Sequence, residues 1–169
     1  MGEKLQLRKL MIDDFSFIFN LYCEKSQIYW SGHSEAPNEK SLSIWFNKLL
    51  SDANTLPYVI EKDNEGIGFC RLVISPDDRY VCNDYSISIS ECFRGKGYGT
   101  KAISLLVKEA GKYEIKYMYG WVLDTNEASK RAFIRNGFQF TGNKKDQYIP
   151  LEGKNICMHE YVLDMAHRS

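Results

Sequence analysis

A short segment near the middle of the sequence, RGKGYGT at residues 94–100, restricts the fold most strongly. Glycine occupies every second position from 95 to 99, and the residues that follow have the spacing of an amphipathic helix. Closely spaced glycines before a helix let backbone N–H groups converge on an anion, and the helix dipole adds positive potential. Arg94 and Lys96 add full charges. The pattern is typical of a phosphate or diphosphate site, although an ordinary strand-to-helix turn with an exposed basic pair would look the same.

Two better-known phosphate loops are excluded by spacing. The dinucleotide fingerprint requires GxGxxG, and the P-loop requires GxxxxGK followed by Ser or Thr; the sequence contains neither. The residues just before the turn alternate instead, with Tyr85, Ile87 and Ile89 on one face of a predicted strand and polar residues on the other. The turn therefore connects a strand to a helix, but it forms neither a dinucleotide-binding fingerprint nor a P-loop.

Periodicity along the rest of the chain predicts an α/β fold. A strand–helix–strand unit follows antiparallel strands, which indicates a mixed sheet. The predicted elements are a strand near Leu5, Leu7 and Leu10, a helix over 15–22 capped by Asp13 or Asp14, a loop over 29–38, a helix from Pro37-Asn38, a hairpin of 58–61 and 67–74 joined by 63–66, a strand over 80–89, a helix over 97–110, a strand over 115–123, a helix over 126–136, and strands near 138–141 and 156–163.

Composition indicates one domain, 1–169, with a real core. The chain has 169 residues, of which 44% are hydrophobic, and no repeat or linker interrupts it. Lys plus Arg and Asp plus Glu both number 22, so no basic excess favours nucleic acid. The five cysteines lack the spacing of a disulfide scaffold or a zinc site. No stretch approaches the roughly 18 apolar residues of a membrane span. We expect a cytoplasmic protein without metal.

Two motifs resemble the GNAT superfamily of acetyltransferases. Residues 94–99 look like the family's (Arg/Gln)-x-x-Gly-x-(Gly/Ala) motif. Residues 126–138, NEASKRAFIRNGF, resemble its Asn-x-x-(Ala/Ser)-x-x-x-Tyr-x-x-x-Gly-Phe segment, but with Phe133 in place of the tyrosine. The resemblance implies a mostly antiparallel mixed sheet with a central, splayed parallel strand pair and flanking helices. The LRKLMIDDF start and the Tyr29-Trp30 pair look closest to the branch of ribosomal-protein N-terminal and spermidine acetyltransferases.

The resemblance also implies that acetyl-CoA is the cosubstrate and lies between the two splayed strands. Its pantetheine would pair with backbone around Ile87 and Ile89, and its diphosphate would rest on the glycine turn. Asn126 and Ser129 would help to hold the other side, with Phe133 near the sulfur. The implied cofactor residues of the turn are Arg94, Gly95, Lys96, Gly97, Tyr98, Gly99 and Thr100.

The implied reaction is acetyl transfer to a primary amine. Such an amine has a pKa of about 10.4, so only about one in 2,500 is neutral at pH 7 and a base should help. The position at which many relatives place a glutamate is Asp84. A solvated loop carboxylate is an equal interpretation, and a water between Asp84 and the amine would compensate for its short side chain. Because Phe133 cannot donate a proton, a module that senses acyl-CoA without catalysis is the alternative.

The acceptor amine stays open among a protein N-terminus, a polyamine and other small amines, and we expect a monomer or homodimer. Tyr29 and Trp30 are candidates for the acceptor pocket or for the core. His33, His159 and His167 show no metal spacing, and we interpret them as surface residues. We expect neither nucleic acid nor membrane as a partner.

Overall fold

The centre of the computed structural model, which describes residues 4–166, is a seven-stranded sheet. Its order is β1-β2-β3-β4-β5-β7-β6, and every neighbouring pair is antiparallel except β4 and β5. The predicted mixed sheet with one central parallel pair is confirmed. The strands are β1 (Leu5–Lys9), β2 (Thr55–Lys62), β3 (Glu65–Ile74), β4 (Val81–Ile89), β5 (Tyr117–Leu123), β6 (Gln139–Ile149) and β7 (Lys154–Asp164).

Helices cover both faces of this sheet. The apolar sides of α1 and α3 pack on Val59 and Phe69, whereas α4 and α5 pack on the opposite face around Leu72 and Tyr85. The predicted inner stripe of α4, which includes Ala102 and Leu106, is fully buried. The helices are α1 (Phe15–Tyr22), α2 (Lys25–Trp30), α3 (Glu39–Ser51), α4 (Tyr98–Lys112) and α5 (Glu127–Arg135).

The parallel pair separates soon after it forms. Only Val81 pairs with Tyr117 and Cys82 with Met118, after which β4 and β5 diverge. Beyond that point β4 stays paired with β3 on its other side, and β5 stays paired with β7. The edge of β4 that faces β5 is therefore open from residue 83 to residue 89. An open backbone edge inside a sheet leaves N–H and C=O groups that a ligand can pair with.

The structure corrects three predicted elements. Tyr29 and Trp30 lie in α2 and not in a loop. The β2–β3 turn consists of Asp63 and Asn64 alone, both at positive φ, and Glu65 already pairs with Lys62. This matches the two-residue hairpin turns that the right-handed twist of strands favours. Strand β6 is eleven residues long, far beyond the predicted 138–141.

Asp14 precedes α1, but its side chain does not cap that helix. Its carboxylate accepts from the Met11 N–H at 2.8 Å and pairs with Arg8 at 2.8 Å. Arg8 also contacts Glu61 at 2.6 Å, and Gln6 donates to the same carboxylate at 2.9 Å. These contacts tie β1 to β2 and to the start of α1.

Candidate active site

The divergence of β4 from β5 opens a cleft of about 720 Å³. The end of β4, the glycine turn and α5 form one part, which we call the α4 side. The other part, the α2 side, is lined by residues from α2, β3, β5 and β6. Of the predicted cofactor residues, those that line the cleft are Ile87, Ile89, Arg94, Gly95, Gly97, Tyr98, Gly99, Thr100, Asn126, Ser129 and Phe133.

The glycine turn forms an open cradle at the start of α4. Gly95 and Gly97 have φ of 75° and 81°, a left-handed conformation that residues with a Cβ rarely adopt. A Cβ built on Gly95, Gly97 or Gly99 would meet no atom within 4 Å. The first hydrogen bond of α4 runs from the Lys101 N–H to the Gly97 carbonyl at 3.2 Å. The N–H groups of Gly99 and Thr100 come before this first donor, so they have no carbonyl acceptor inside the helix. The cradle has the open space and the positive helix end that an anion needs.

The two basic residues of the turn behave differently. The Arg94 Nε donates to the Ile89 carbonyl at 2.7 Å, which fixes the guanidinium at the end of β4. Lys96 does not line the cleft: its Nζ donates to the Cys92 carbonyl at 3.2 Å and lies 5.6 Å from the centre of the Phe93 ring. Two arginines of α5 that sequence reasoning missed, Arg131 and Arg135, line the cleft instead. The helical period predicts that only small and aromatic residues of α5 face the sheet, so it does not identify these two arginines as cleft residues.

Asn126 and Ser129 begin α5. The Asn126 Oδ1 accepts from the Ser129 N–H at 3.1 Å, which makes Asn126 the N-cap of this helix. Both residues line the cleft. The contact that the structure shows for Asn126 is thus a helix cap, which positions the start of α5 at the wall of the cleft.

Phe133 belongs to a buried aromatic cluster at the base of the cleft. Its ring stacks on Tyr85 with centroids 5.1 Å apart and also contacts Phe138 and Tyr161. Gly120 of β5 makes this cluster possible, because a Cβ there would lie 2.6 Å from Cε1 of Tyr85. Within residues 4–166 the buried Tyr85 hydroxyl has no hydrogen-bond partner, and burial raises the pKa of this phenol well above its ordinary value. It stays protonated at any ordinary pH.

Asp84 is part of β4, not of a loop. It does not line the cleft, but its Oδ2 lies 3.7 Å from Nη2 of Arg71, which does. Its side chain is 47% exposed. Partial desolvation raises the pKa of Asp84 above its ordinary value of 3.8, and the positive charges of Arg71 and Lys145 oppose that rise. A carboxyl with a raised pKa is a stronger base than an ordinary aspartate.

Of the aromatic acceptor candidates, Trp30 lines the α2 side of the cleft and Tyr29 does not. The Tyr29 hydroxyl donates to Glu152 instead. His159 is not a simple surface residue, since its Nδ1 lies 3.5 Å from Asp124 and its ring packs on Phe140. His33 lines a separate small pocket beside α3, and His167 lies outside the described residues.

Within residues 4–166, no group of three or more His, Cys, Asp or Glu side chains is placed to hold a metal ion. The described helices, the longest of which is α4, lack the length and apolar character needed to cross a membrane. All five cysteines are free thiols.

The fold and the cleft define the chain as a member of the GNAT acetyltransferase family, whose acetyltransferase domain matches residues 4–139. The family's members are N-acetyltransferases that depend on acetyl-CoA, and the chain is one of them. The resemblance seen in the two motifs is thereby confirmed. What the family match leaves open is the amine and the role of each residue.

Three similar proteins illustrate this membership. A Bacillus subtilis (strain 168) protein named as a candidate alanine N-acetyltransferase of ribosomal protein bS18 is 22% identical over 148 residues, which cover 88% of this chain and 89% of that protein. The Vibrio cholerae spermidine N-acetyltransferase, solved with CoA and spermine, has a TM-score of 0.86 at 19% identity and 96% coverage of both chains. A candidate acetyltransferase of Salmonella typhimurium, solved with acetyl-CoA, has a TM-score of 0.75 at 18% identity, covering 98% of this chain and 96% of that one.

Proposed function

We propose that the cleft between β4 and β5 holds acetyl-CoA from the α4 side and a primary amine from the α2 side, so that the amine attacks directly. The observation that carries this proposal is the divergence of the two strands beyond Cys82, which opens the edge of β4 directly toward the glycine cradle. The open space over Gly95, Gly97 and Gly99 fits a diphosphate, and the exposed edge of β4 fits a chain of amides.

Each part of the α4 side has a binding role in this proposal. Amides at the start of α4 hold the diphosphate, and Arg94, Arg131 and Arg135 supply positive charge around the phosphate groups. Backbone groups near Ile87 and Ile89 pair with the pantetheine amides. When bound, acetyl-CoA supplies the thioester whose acetyl group is transferred to the amine.

Asp84 assists deprotonation of the amine through a water molecule. Asp84 lies two residues before Ser86, on the same face of β4, and Ser86 lines the cleft. A single water therefore spans the gap to the amine more easily than the short side chain does. The raised pKa of Asp84 supports this role because the carboxylate holds a proton more readily. A thiol pKa of about 8.5 makes the CoA thiolate a tolerable leaving group, so the absence of a proton donor at Phe133 does not block its departure. Ser129 or water then protonates the thiolate.

The acceptor is a primary amine of a small molecule or of a protein N-terminus. The names of the relatives supply both precedents, a polyamine in the Vibrio cholerae protein and a protein alanine in the Bacillus subtilis one. We further propose a cytoplasmic location, because five free thiols suit a reducing compartment. The protein would act as a monomer or homodimer.

A second function, sensing of acyl-CoA without transfer, is favoured by one observation. Phe133 puts a ring without a hydroxyl where the family's pattern has tyrosine, and the neighbouring Tyr85 hydroxyl is buried. We rank this function below catalysis for two reasons. The chain belongs to a family of acetyl-CoA-dependent N-acetyltransferases, and a thiol pKa of about 8.5 lets the thiolate leave without a tyrosine as proton donor.

The experiment that separates the two functions is an acetyl-CoA consumption assay against a panel of amines. The panel contains spermidine, amino acids, amino sugars and short peptides with a free N-terminus. Turnover with at least one amine is the expected result. Tight CoA binding without turnover for any of them would favour the sensor.

A further inference from the structure

We infer that the α2 side of the cleft selects a primary amine that also carries an oxyanion, above all a carboxylate, and that Arg71 binds this group. The inference rests on the proposed function, because it names the class of acceptor for the same site. Three observations support it: the position of Arg71, its buried Nε, which has no partner among residues 4–166, and the charges that line the cleft.

Arg71 lies directly across from Ser86 in the β3–β4 pairing. It shares a face with Phe69 two residues earlier, and Phe69 packs under α1 and α3. The guanidinium is thus on the face of α1–α3, and it lines the cleft together with Trp30 and Trp121. Ser86 immediately precedes the stretch of β4 proposed to pair with the pantetheine. Arg71 is therefore one strand away from the place where the amine must attack.

The donors of Arg71 are not fully used. Its Nε is buried and has no hydrogen-bond partner within the described part of the chain. Its contact with Asp84, at 3.7 Å, is an ion pair that is too long to be a hydrogen bond. A buried donor without a partner is costly, and an arginine presents a planar fork that matches the two oxygens of a carboxylate. The arrangement suits an oxyanion that arrives with the substrate.

The charges around the cleft are one-sided. Among the described residues that line it, four are arginines and none is Asp or Glu. One of the four, Arg71, lies on the α2 side, where Lys145 adds charge with its Nζ 4.1 Å from the centre of the Trp121 ring. Asp84 does not line the cleft, and its carboxylate already faces the Arg71 guanidinium at 3.7 Å. A polyamine would bring several positive charges to this lining and would find no carboxylate there to balance them. An amine with its own carboxylate pairs with Arg71 and leaves the amino group near Asp84.

The test compares matched amines, with and without the carboxylate. Each common L-α-amino acid is assayed beside its decarboxylated amine, for example leucine beside 3-methylbutylamine, together with spermidine and an alanine peptide with a blocked C-terminus. The variants are Arg71→Gln, Arg71→Lys and, as a matched control away from the cleft, Arg79→Gln, whose side chain is exposed and pairs with Glu114.

The expected result is that the best acceptor carries a carboxylate. For that acceptor Arg71→Gln raises KM about 10- to 100-fold, the value of a lost charge-assisted hydrogen-bond pair, with little change in kcat. KM for the decarboxylated partner stays within about threefold. Arg71→Lys has a smaller rise in KM than Arg71→Gln, and Arg79→Gln leaves KM for both substrates unchanged. Loss of the Arg71 charge also affects Asp84, but that effect is the same for both members of a substrate pair. The ratio of their KM values therefore isolates the contact between Arg71 and the substrate carboxylate.

Binding to the CoA-loaded protein, measured by calorimetry, decides the inference without turnover. Weaker binding of every amino acid than of its decarboxylated amine would overturn it, and so would a preference for spermidine or for the blocked peptide. An equal loss for both members of each pair in Arg71→Gln would also overturn it. Failure of the proposed function looks different: no CoA binds, or no amine reacts while carboxylate-bearing amines still bind in a way that depends on Arg71.

Discussion

The rings of Tyr85 on β4 and Phe133 on α5 stack with centroids 5.1 Å apart and planes 23° apart, and both residues line the cleft. The stack closes the base of the cleft where the two strands diverge. It also fills, with an apolar ring, the position at which the family's motif has tyrosine. The chain therefore has an apolar aromatic wall where the motif would place a tyrosine hydroxyl.

The first prediction concerns that wall. Phe133→Tyr should change kcat by less than about tenfold, or ~1.4 kcal/mol, because thiolate departure has little barrier left to remove. The added hydroxyl enters a cluster of Tyr85, Phe138 and Tyr161, so it should lower the free energy of unfolding by about 1–3 kcal/mol unless it finds a partner. Steady-state kinetics and urea unfolding measure the two effects. A wild-type protein inert toward every amine, with turnover restored by this change alone, would identify a sensor.

Gly120 provides a second prediction, on packing. Gly120→Ala places a methyl group 2.6 Å from the Tyr85 ring, which is itself fixed between Phe133 and Phe138. Overpacking of this kind costs about 1–3 kcal/mol of unfolding free energy. Gly111→Ala is the matched control, since its Cβ meets only Cε of Met165, at 3.9 Å. Equal unfolding midpoints for the two variants would contradict the tight fit at position 120.

The third prediction concerns Asp84. Asp84→Asn should lower kcat by about 10²-fold, the usual effect of losing a general base, and leave CoA affinity nearly unchanged. The base acts only as a carboxylate, so wild-type activity should fall as pH drops through the Asp84 pKa, which desolvation raises above 3.8. The loss in the variant should shrink at high pH, where the amine is already neutral. A pH-independent loss, or none, would assign the role to another group.

A fourth prediction links pH to stability. Hydrogen bonds from Arg8 hold the pKa of Asp14 and of Glu61 below their ordinary values of 3.8 and 4.5. A lowered carboxyl pKa stabilises the fold above the ordinary value, and this stability is lost as pH falls through the lower folded-state value. The melting temperature should therefore be flat above about pH 5 and should fall below it.

Arg8→Gln tests the source of that effect. It should cost about 2 kcal/mol near neutral pH, because two mostly buried carboxylates lose their shared partner, and it should flatten the acid limb. Arg79→Gln, at an exposed ion pair, should change neither quantity. An unchanged acid limb in Arg8→Gln would place the acid sensitivity elsewhere.

The sequence predicts the elements that have a strong local signal. The alternation before the glycine turn places Tyr85 and Ile87 on one face of β4, and the stripe of Ala102 and Leu106 defines α4. The six residues of α2 are too few to show a helical period. Most side chains of β6 are exposed, so its polar run has no alternation, and pairing with β7 holds it as an edge strand.

Residues whose importance depends on another strand escape such reasoning. Arg71 looks like a single charge in an apolar run, and only its position across from Ser86 brings it to the cleft. Gly120 gives no local sign that a ring lies over it, because that ring comes from β4. For Lys96 the sequence suggests more than the structure shows. Its place in the motif suggests a phosphate ligand, but its Nζ donates a hydrogen bond to the Cys92 carbonyl.

The central claim is that the glycine cradle at the start of α4 binds the diphosphate of acetyl-CoA. Calorimetric titration of CoA into the wild type and Gly97→Asp tests it most directly, because the new side chain adds both strain at φ 81° and a repelling charge in the cradle. Gly153→Asp is the control, with a similar positive φ and open surroundings at the β6–β7 turn. We expect Gly97→Asp to weaken CoA binding at least about 100-fold, or ~2.7 kcal/mol, and Gly153→Asp to bind like the wild type. Equal CoA affinity in all three proteins would contradict the account.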